Sequence, residues 1–200
     1  MRVGLFGGTF DPIHTAHVTV AKEALANFAL DEVLFIPNAV PPHKSGVTAA
    51  AFEHRYRMVE LACRDQPGLR ASRAEAGTTR SYSVDTIERA RAERPGDTLY
   101  FLIGADAFAE IQTWFRWEEV IAMVEFIVVT RPGHHYTVPP GARVHRLDTL
   151  ALPVSSSDIR EELAHGESPT TLPPAVLAYI HANGLYSKPR WLADISSRGQ

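Results

Sequence analysis

His14 and His17 stand three residues apart near the start of the chain, directly after Gly7-Gly8-Thr9-Phe10-Asp11-Pro12-Ile13. Residues three apart on a helix share a face, so these imidazoles would lie together one turn from the helix mouth. Gly7 and Gly8 carry no Cβ and let backbone approach a ligand closely. A helix N-terminus adds free N–H groups and the positive end of its dipole, which favour an anion such as phosphate. A strand, a Gly-Gly loop and a helix are common in parallel α/β proteins, and one histidine there would more often be a cap. Two histidines with Phe10 and Pro12 at this spacing point instead to phosphate binding.

Other residues could serve the same chemistry. Lys44 lies in a loop of turn formers, Asn38 to Gly46, behind an apolar strand. Ligands bind at such strand ends in open α/β sheets, although taken alone Lys44 reads as a solvated lysine. Ser83 stands where it could cap a helix, and its hydroxyl and the amides behind it could equally read a small anion such as a carboxylate. Asp106 follows Gly104-Ala105 just past another apolar strand, suited to ribose hydroxyls or a metal, and equally to a helix cap. Trp114 and Trp117 flank Phe115-Arg116 in a turn between helical segments. Aromatic clusters are usually core, but a turn leaves at least one of these partly exposed for stacking. Ser155-Ser156-Ser157 open a further helix with Arg160 one turn along, a second and weaker anion site.

The elements that must hold these residues alternate. Strands are expected at Arg2–Phe6, Glu32–Ile36, weakly at Leu69–Ser72, then at Thr98–Ile103, Glu125–Thr130 and Val144–Leu147. Helices are expected at Val18–Phe28, at Phe52–Arg64 with Tyr56, Val59 and Cys63 on one face, at Val84–Arg94, and at Leu172–Ala182 ended by Asn183-Gly184. Ala107–Gln112 could be helical. This alternation predicts an α/β fold, Rossmann-like, with a mostly parallel sheet flanked by helices. One domain over residues 1–186 and a loosely held tail over 187–200 are expected. Neither a G-x-G-x-x-G fingerprint nor a G-x-x-x-x-G-K-[ST] loop is present.

Composition narrows the classes. A chain of 200 residues can bury a sizeable core, and its formal net charge of -3 argues against a general nucleic-acid binder. The single cysteine, Cys63, can form neither an intrachain disulfide nor a Cys-cluster metal site. No signal-peptide pattern opens the chain and no run reaches the length of a membrane span. A cytoplasmic protein without membrane or nucleic-acid partners is expected, and a homo-oligomer is compatible with the sequence.

Taken together, these segments resemble the nucleotidyltransferase superfamily marked by a [TH]-x-G-H tetrad after the first strand, and specifically the bacterial nicotinate-nucleotide adenylyltransferases. The resemblance runs from Arg2 to about Tyr186. Its pieces are Gly7-Gly8-Thr9-Phe10-Asp11-Pro12-Ile13-His14, Ile36-Pro37-Asn38 with Pro41-Pro42-His43-Lys44, and Ile103-Gly104-Ala105-Asp106 with Trp114. Ser155-Ser156-Ser157-Asp158-Ile159-Arg160 and Gly184-Leu185-Tyr186 complete it. The resemblance implies transfer of AMP from ATP, with Mg²⁺ on its phosphates, to nicotinate mononucleotide, on the route to NAD. It implies catalysis by His14, His17, Lys44 and Arg160. It places ATP against Gly7, Gly8, Thr9, Phe10, His14, His17, Ser156, Ile159 and Arg160. It places the mononucleotide against Gly8, Thr9, Phe10, Lys44, Ser83, Gly104, Asp106, Trp114, Phe115 and Arg131, with Trp114 stacked on the ring and Ser83 and Phe115 reading the carboxylate. No protein ligand for a metal is implied.

Four positions depart from the family's pattern. Ala16 replaces the tetrad's glycine, Ser83 a frequent Thr, Phe115 a frequent Tyr and Val154 an Ile. The added methyl of Ala16 could displace ATP slightly and raise its KM. A catalytically silent nucleotide-binding protein would use the same motif. A metal protein built on His14, His17 and His43 would lack a Cys or a convincing carboxylate among its ligands.

Overall fold

The apolar runs pair side by side in the computed structural model, which describes residues 1–40, 48–78, 80–130, 135–150 and 154–187. The strands are β1 (Arg2–Gly8), β2 (Glu32–Pro37), β3 (Leu69–Ala71), β4 (Thr98–Gly104), β5 (Glu125–Thr130) and β6 (Arg143–Asp148). They form one sheet in the order β3-β2-β1-β4-β5-β6, and every pairing is parallel. The helices are α1 (Thr15–Asn27), α2 (Phe52–Cys63), α3 (Ser83–Glu93), α4 (Ala105–Ala109), α5 (Trp117–Met123), α6 (Ser156–Ala164) and α7 (Pro174–Ala182).

Alternation along each strand feeds two apolar layers. On β2, Val33 and Phe35 join the layer that holds Val18, Val59, Ile159 and Val176, from α1, α2, α6 and α7. Leu34 and Ile36 point the other way, into the layer with Ile87, Phe108 and Val120 from α3, α4 and α5. All six residues of β2 are therefore buried, as a central parallel strand requires. Each large side chain so buried contributes about 1.5–3 kcal/mol. Loss of the fully buried Phe126 ring would cost about 3–5 kcal/mol for Phe→Ala.

The order in which successive strands are added reverses between β1 and β4. The β1–β4 ladder runs from Arg2↔Thr98 only as far as Leu5↔Phe101. The β1–β2 ladder continues to Gly8↔Pro37. The strand ends thus diverge beyond Leu5 and Phe101 and open a crevice at the switch point, where open α/β sheets bind ligands.

Several boundaries differ from the sequence reading. β1 continues through both glycines, and α1 starts at Thr15, so His14 and His17 lie at its first turn. Ser83 is not an N-cap. Tyr82 takes that extended position, and Ser83 is the first helical residue of α3. Asp106 is likewise not a cap, because Gly104 precedes α4 in extended conformation and Asp106 falls within the first turn. Ala107–Gln112 is not one helix, because α4 ends at Ala109 and a single 3₁₀ turn follows at Ile111–Thr113. On α2 the buried face is Arg55, Met58, Val59, Ala62 and Cys63, with Tyr56 only half-buried. Lys44, His43, Arg131 and residues 188–200 of the expected tail lie outside the described residues.

Candidate active site

His14 is the extended residue that precedes α1, and His17 is the third residue of the helix. Their rings stack with centroids 3.7 Å apart and planes 28° apart. The His14 backbone N–H donates to His17 Nδ1 at 3.3 Å. A neutral His17 accepting there carries its proton on Nε2, which is then a donor for a ligand. Phe10 meets the His17 ring edge-on at 5.1 Å, and Phe6 at 6.0 Å. In this apolar setting burial lowers the His14 pKa to about 4. Burial, and next the charge of His14, hold His17 well below its ordinary value. Both are neutral at pH 7. The buried Nδ1 of His14 has no hydrogen-bond partner. Such a group costs stability until a partner arrives.

The loop before the histidines is anchored through its carbonyls. Arg55, fully buried on α2, donates to Thr9 O at 2.7 Å and to Ala50 O at 3.1 Å. Arg160 donates to Asp11 O at 2.7 Å and to Ser157 Oγ at 3.2 Å. The Ser156 hydroxyl donates to Pro12 O at 3.0 Å. In a trans peptide the N–H lies opposite the C=O. Holding Thr9 O toward Arg55 therefore turns Phe10 N–H to the other side. Phe10 itself takes φ +48°, a left-handed conformation uncommon for a bulky residue. Its ring occupies the space beside Gly8, where an added Cβ would lie 2.8 Å away. Gly8 thus admits Phe10 rather than leaving open space. Gly7 does leave it, its missing Cβ standing 3.8 Å from Phe101 and 3.9 Å from Asn38.

A cavity of about 490 Å³ opens from Gly7 along the β1–β4 crevice. Ser83, Gly104, Trp114 and Phe115 line it, as the sequence reading requires of a single site. Trp114 stands edge-on to Phe101 at 6.0 Å and is half-buried. Phe115 is 54% exposed and faces Tyr82 at 4.7 Å. As the first residue of α3, Ser83 also offers one of the helix's orphan amides.

The structure therefore brings the expected residues together in two groups. Gly8, Thr9, Phe10, His14, His17, Ser156 and Arg160 gather around the start of α1. Gly7, Ser83, Gly104, Trp114 and Phe115 gather around the cavity. Asp106 is exposed at the start of α4, next to Ala107 of the cavity wall. Ile159 is buried in the core, and its N–H bonds Ser155 O at 3.1 Å. One donor of the α1 mouth, Thr15 N–H, is taken by Thr171 O at 2.8 Å. The half-exposed turn expected around Trp114 and Trp117 is found, with both rings half-buried.

Sequence reasoning missed the residues that brace the site. Arg55 is one, although its spacing of four from Val59 already placed it on the apolar face of α2. Glu75 is another. Its buried carboxylate accepts the Thr86 hydroxyl at 2.8 Å and Ala39 N–H at 3.3 Å, so it ties the segment after β2 to α3 in the cavity wall. Ser81 adds to that tie by accepting Val40 N–H at 3.1 Å. No sequence pattern marks these two.

Residues 5–162 match the family model described as cytidylyltransferase-like. The chain is 59% identical over 188 residues to the "Probable nicotinate-nucleotide adenylyltransferase" of Solibacter usitatus, spanning 94% of this chain and 100% of that one. To the protein of the same description in Exiguobacterium sibiricum it is 43% identical over 176 residues, 87% of this chain and 92% of the other. Among solved structures it is similar to a Plasmodium falciparum nicotinic acid mononucleotide adenylyltransferase complexed with NaAD. The TM-score is 0.75 at 21% identity, over 92% of this chain and 97% of that one. At that identity the likeness is one of fold.

Proposed function

The chain belongs to the cytidylyltransferase-like family and, within it, to the nicotinate-nucleotide adenylyltransferases, and from that premise we propose how its own residues carry the reaction. The enzyme transfers AMP from ATP to nicotinate mononucleotide, giving nicotinate adenine dinucleotide and pyrophosphate, a step of NAD biosynthesis. A phosphate oxygen of the mononucleotide bonds to the α-phosphorus of ATP. The bond from that phosphorus to the bridging oxygen breaks, and pyrophosphate leaves with the electron pair. The nucleophile arrives ionised, so no general base is needed. Catalysis is positioning plus stabilisation of charge on the phosphoryl oxygens.

In our reading His17, through Nε2–H, and His14 donate to the ATP phosphates, His17 nearest the developing charge. Gly7, Gly8, Thr9 and Phe10 supply backbone around the phosphates, with Phe10 N–H turned away from the Arg55 side. Ser156 and Arg160 contact the triphosphate at the start of α6, with Ile159 packed beneath. Lys44 adds a cation. Mg²⁺ enters as part of the ATP substrate. Among the described residues no group of three His, Cys, Asp or Glu side chains could hold a metal of its own. On the mononucleotide side, Trp114 stacks on the pyridine ring, Asp106 and the backbone at Gly104 serve the ribose, and Arg131 adds a cation for the mononucleotide. The Ser83 hydroxyl and the amides of Ser83 and Phe115 read the carboxylate. Neutral donors suit an anionic oxygen better than a carboxamide NH₂, which would leave one of them unpaired.

We read the protein as one domain over residues 1–186, acting in the cytoplasm. Among the described residues no helix is long and apolar enough to cross a membrane. The observation that carries the whole reading is the stacked, neutral His14–His17 pair at the α1 mouth, beside the switch-point crevice. Pyrophosphate release from Mg-ATP tests it, with nicotinate mononucleotide and nicotinamide mononucleotide in parallel. Release that strongly favours the acid is expected. Comparable rates would remove the Ser83–Phe115 carboxylate site, and silence with both from folded protein would overturn the catalytic reading.

A further inference from the structure

The roles given above leave a buried acid in the middle of the catalytic loop without one. Asp11 is 4% exposed. Its carboxylate accepts Ala49 N–H at 2.7 Å, Ala50 N–H at 3.1 Å and the Tyr186 hydroxyl at 2.7 Å. A carboxylate taken out of water depends on such donors, because each one lost leaves charge uncompensated. Two of them come from the segment that leads into α2. The third comes from 175 residues further along the chain.

Backbone conformation marks both ends of that long bond. Phe10, next to Asp11, takes φ +48°, and Tyr186 takes φ +62°. Bulky residues hold such conformations only where their surroundings over-determine them. At Phe10 the surroundings are the anchored carbonyls of Thr9, Asp11 and Pro12. At Tyr186 they are the turn that ends α7, where Leu185 N–H bonds Ile180 O at 3.1 Å, and the bond to Asp11. Burial first, and next that bond, push the phenol pKa up, so the hydroxyl keeps its proton and goes on donating.

We infer that Tyr186 is a positioning residue for adenylyl transfer: through the Asp11 carboxylate it holds the loop Thr9–Ile13, and so the entry to His14, in working geometry. The inference rests on the reaction proposed above. Tyr186 need not touch substrate. Its effect travels through Asp11 to the backbone that offers Phe10 N–H and sets the start of α1. The end of α7 thereby becomes part of the apparatus that orients the phosphates.

Tyr186→Phe removes the hydroxyl and little else. The expected result is a fall in kcat of about tenfold, with the KM for nicotinate mononucleotide within about twofold of wild type. Tyr179→Phe is the control. That hydroxyl lies 2.9 Å from His54 Nδ1, between α7 and α2, and does not reach the loop. Its loss should lower Tm while leaving kcat within about twofold. Asp11→Asn should give a loss like that of Tyr186→Phe, and it serves alone where Tyr186→Phe fails to fold. The double variant should lose no more than the worse single one, because both act through one bond. Unchanged kcat in Tyr186→Phe, an equal loss in Tyr179→Phe, or multiplied losses in the double variant would each overturn the inference. Silence of the wild-type enzyme with nicotinate mononucleotide would instead strike the proposed reaction itself.

Discussion

The two ends of the site are built on opposite plans. Around the α1 mouth, polar groups are already committed to one another. Three of the four loop carbonyls from Thr9 to Pro12, those of Thr9, Asp11 and Pro12, have protein donors, and the two imidazoles are stacked and neutral. Around the cavity, beyond the Glu75–Ser81–Thr86 tie, the wall presents partly exposed aromatic rings, with Tyr82 and Phe115 in contact ring to ring. The first plan gives rigidity where charge develops in the transition state. The second gives a surface whose selectivity depends on what individual side chains present. Preorganisation and recognition are thereby divided between the start of α1 and the edge formed by α3 and the Trp114 turn.

That division can be broken at either end, with different kinetic signatures. His17→Ala should cost most, lowering kcat by about 100- to 1,000-fold while the fold survives, since a donor to developing charge is lost. Circular dichroism with steady-state kinetics checks this, and near-wild-type turnover would take His17 out of the mechanism. Trp114→Ala should raise the KM for nicotinate mononucleotide about tenfold and leave that for ATP nearly unchanged, because a ring stack is removed. An equal rise for both substrates would make Trp114 a core residue of the whole site. Ala16→Gly should do least. Ala16 is half-buried in the first turn of α1, so ATP KM should hold or fall by no more than about threefold. Stability should drop by about 0.5–1 kcal/mol from the added backbone freedom. A large loss of activity would show that the methyl is required.

The contrast between the two ends also explains what the sequence could disclose. β2 and β4 were legible, as Glu32–Ile36 and Thr98–Ile103, because a buried parallel strand is a short, almost unbroken apolar run. His14 and His17 were legible because a helix start after a Gly-Gly loop constrains both spacing and chemistry. Ser83 was read one place out of register. Tyr82 and Ser83 can both precede a helix, and only the surrounding packing decides which residue stays extended. Arg55, Asp11, Glu75 and Tyr186 were not legible as a bracing set. Their partners are backbone groups or side chains brought close by the fold, and no local pattern encodes a hydrogen bond across 175 residues. The glycines show the same limit. Both invite a ligand in the sequence, yet Phe10 folds back over Gly8 and only Gly7 stays open.

A pair of neutral imidazoles, His14 buried and His17 half-buried, waits preassembled for the phosphates. Titration of the His14 and His17 ring protons by NMR, without and with ATP, tests it most directly. Burial favours the uncharged ring, so in the free enzyme His14 should titrate at about 4 and His17 well below the ordinary histidine value. Polyphosphate brings negative charge that favours the protonated ring, so both values should rise when ATP binds. Free-enzyme values near the unperturbed 6.5, unmoved by ATP, would contradict the account.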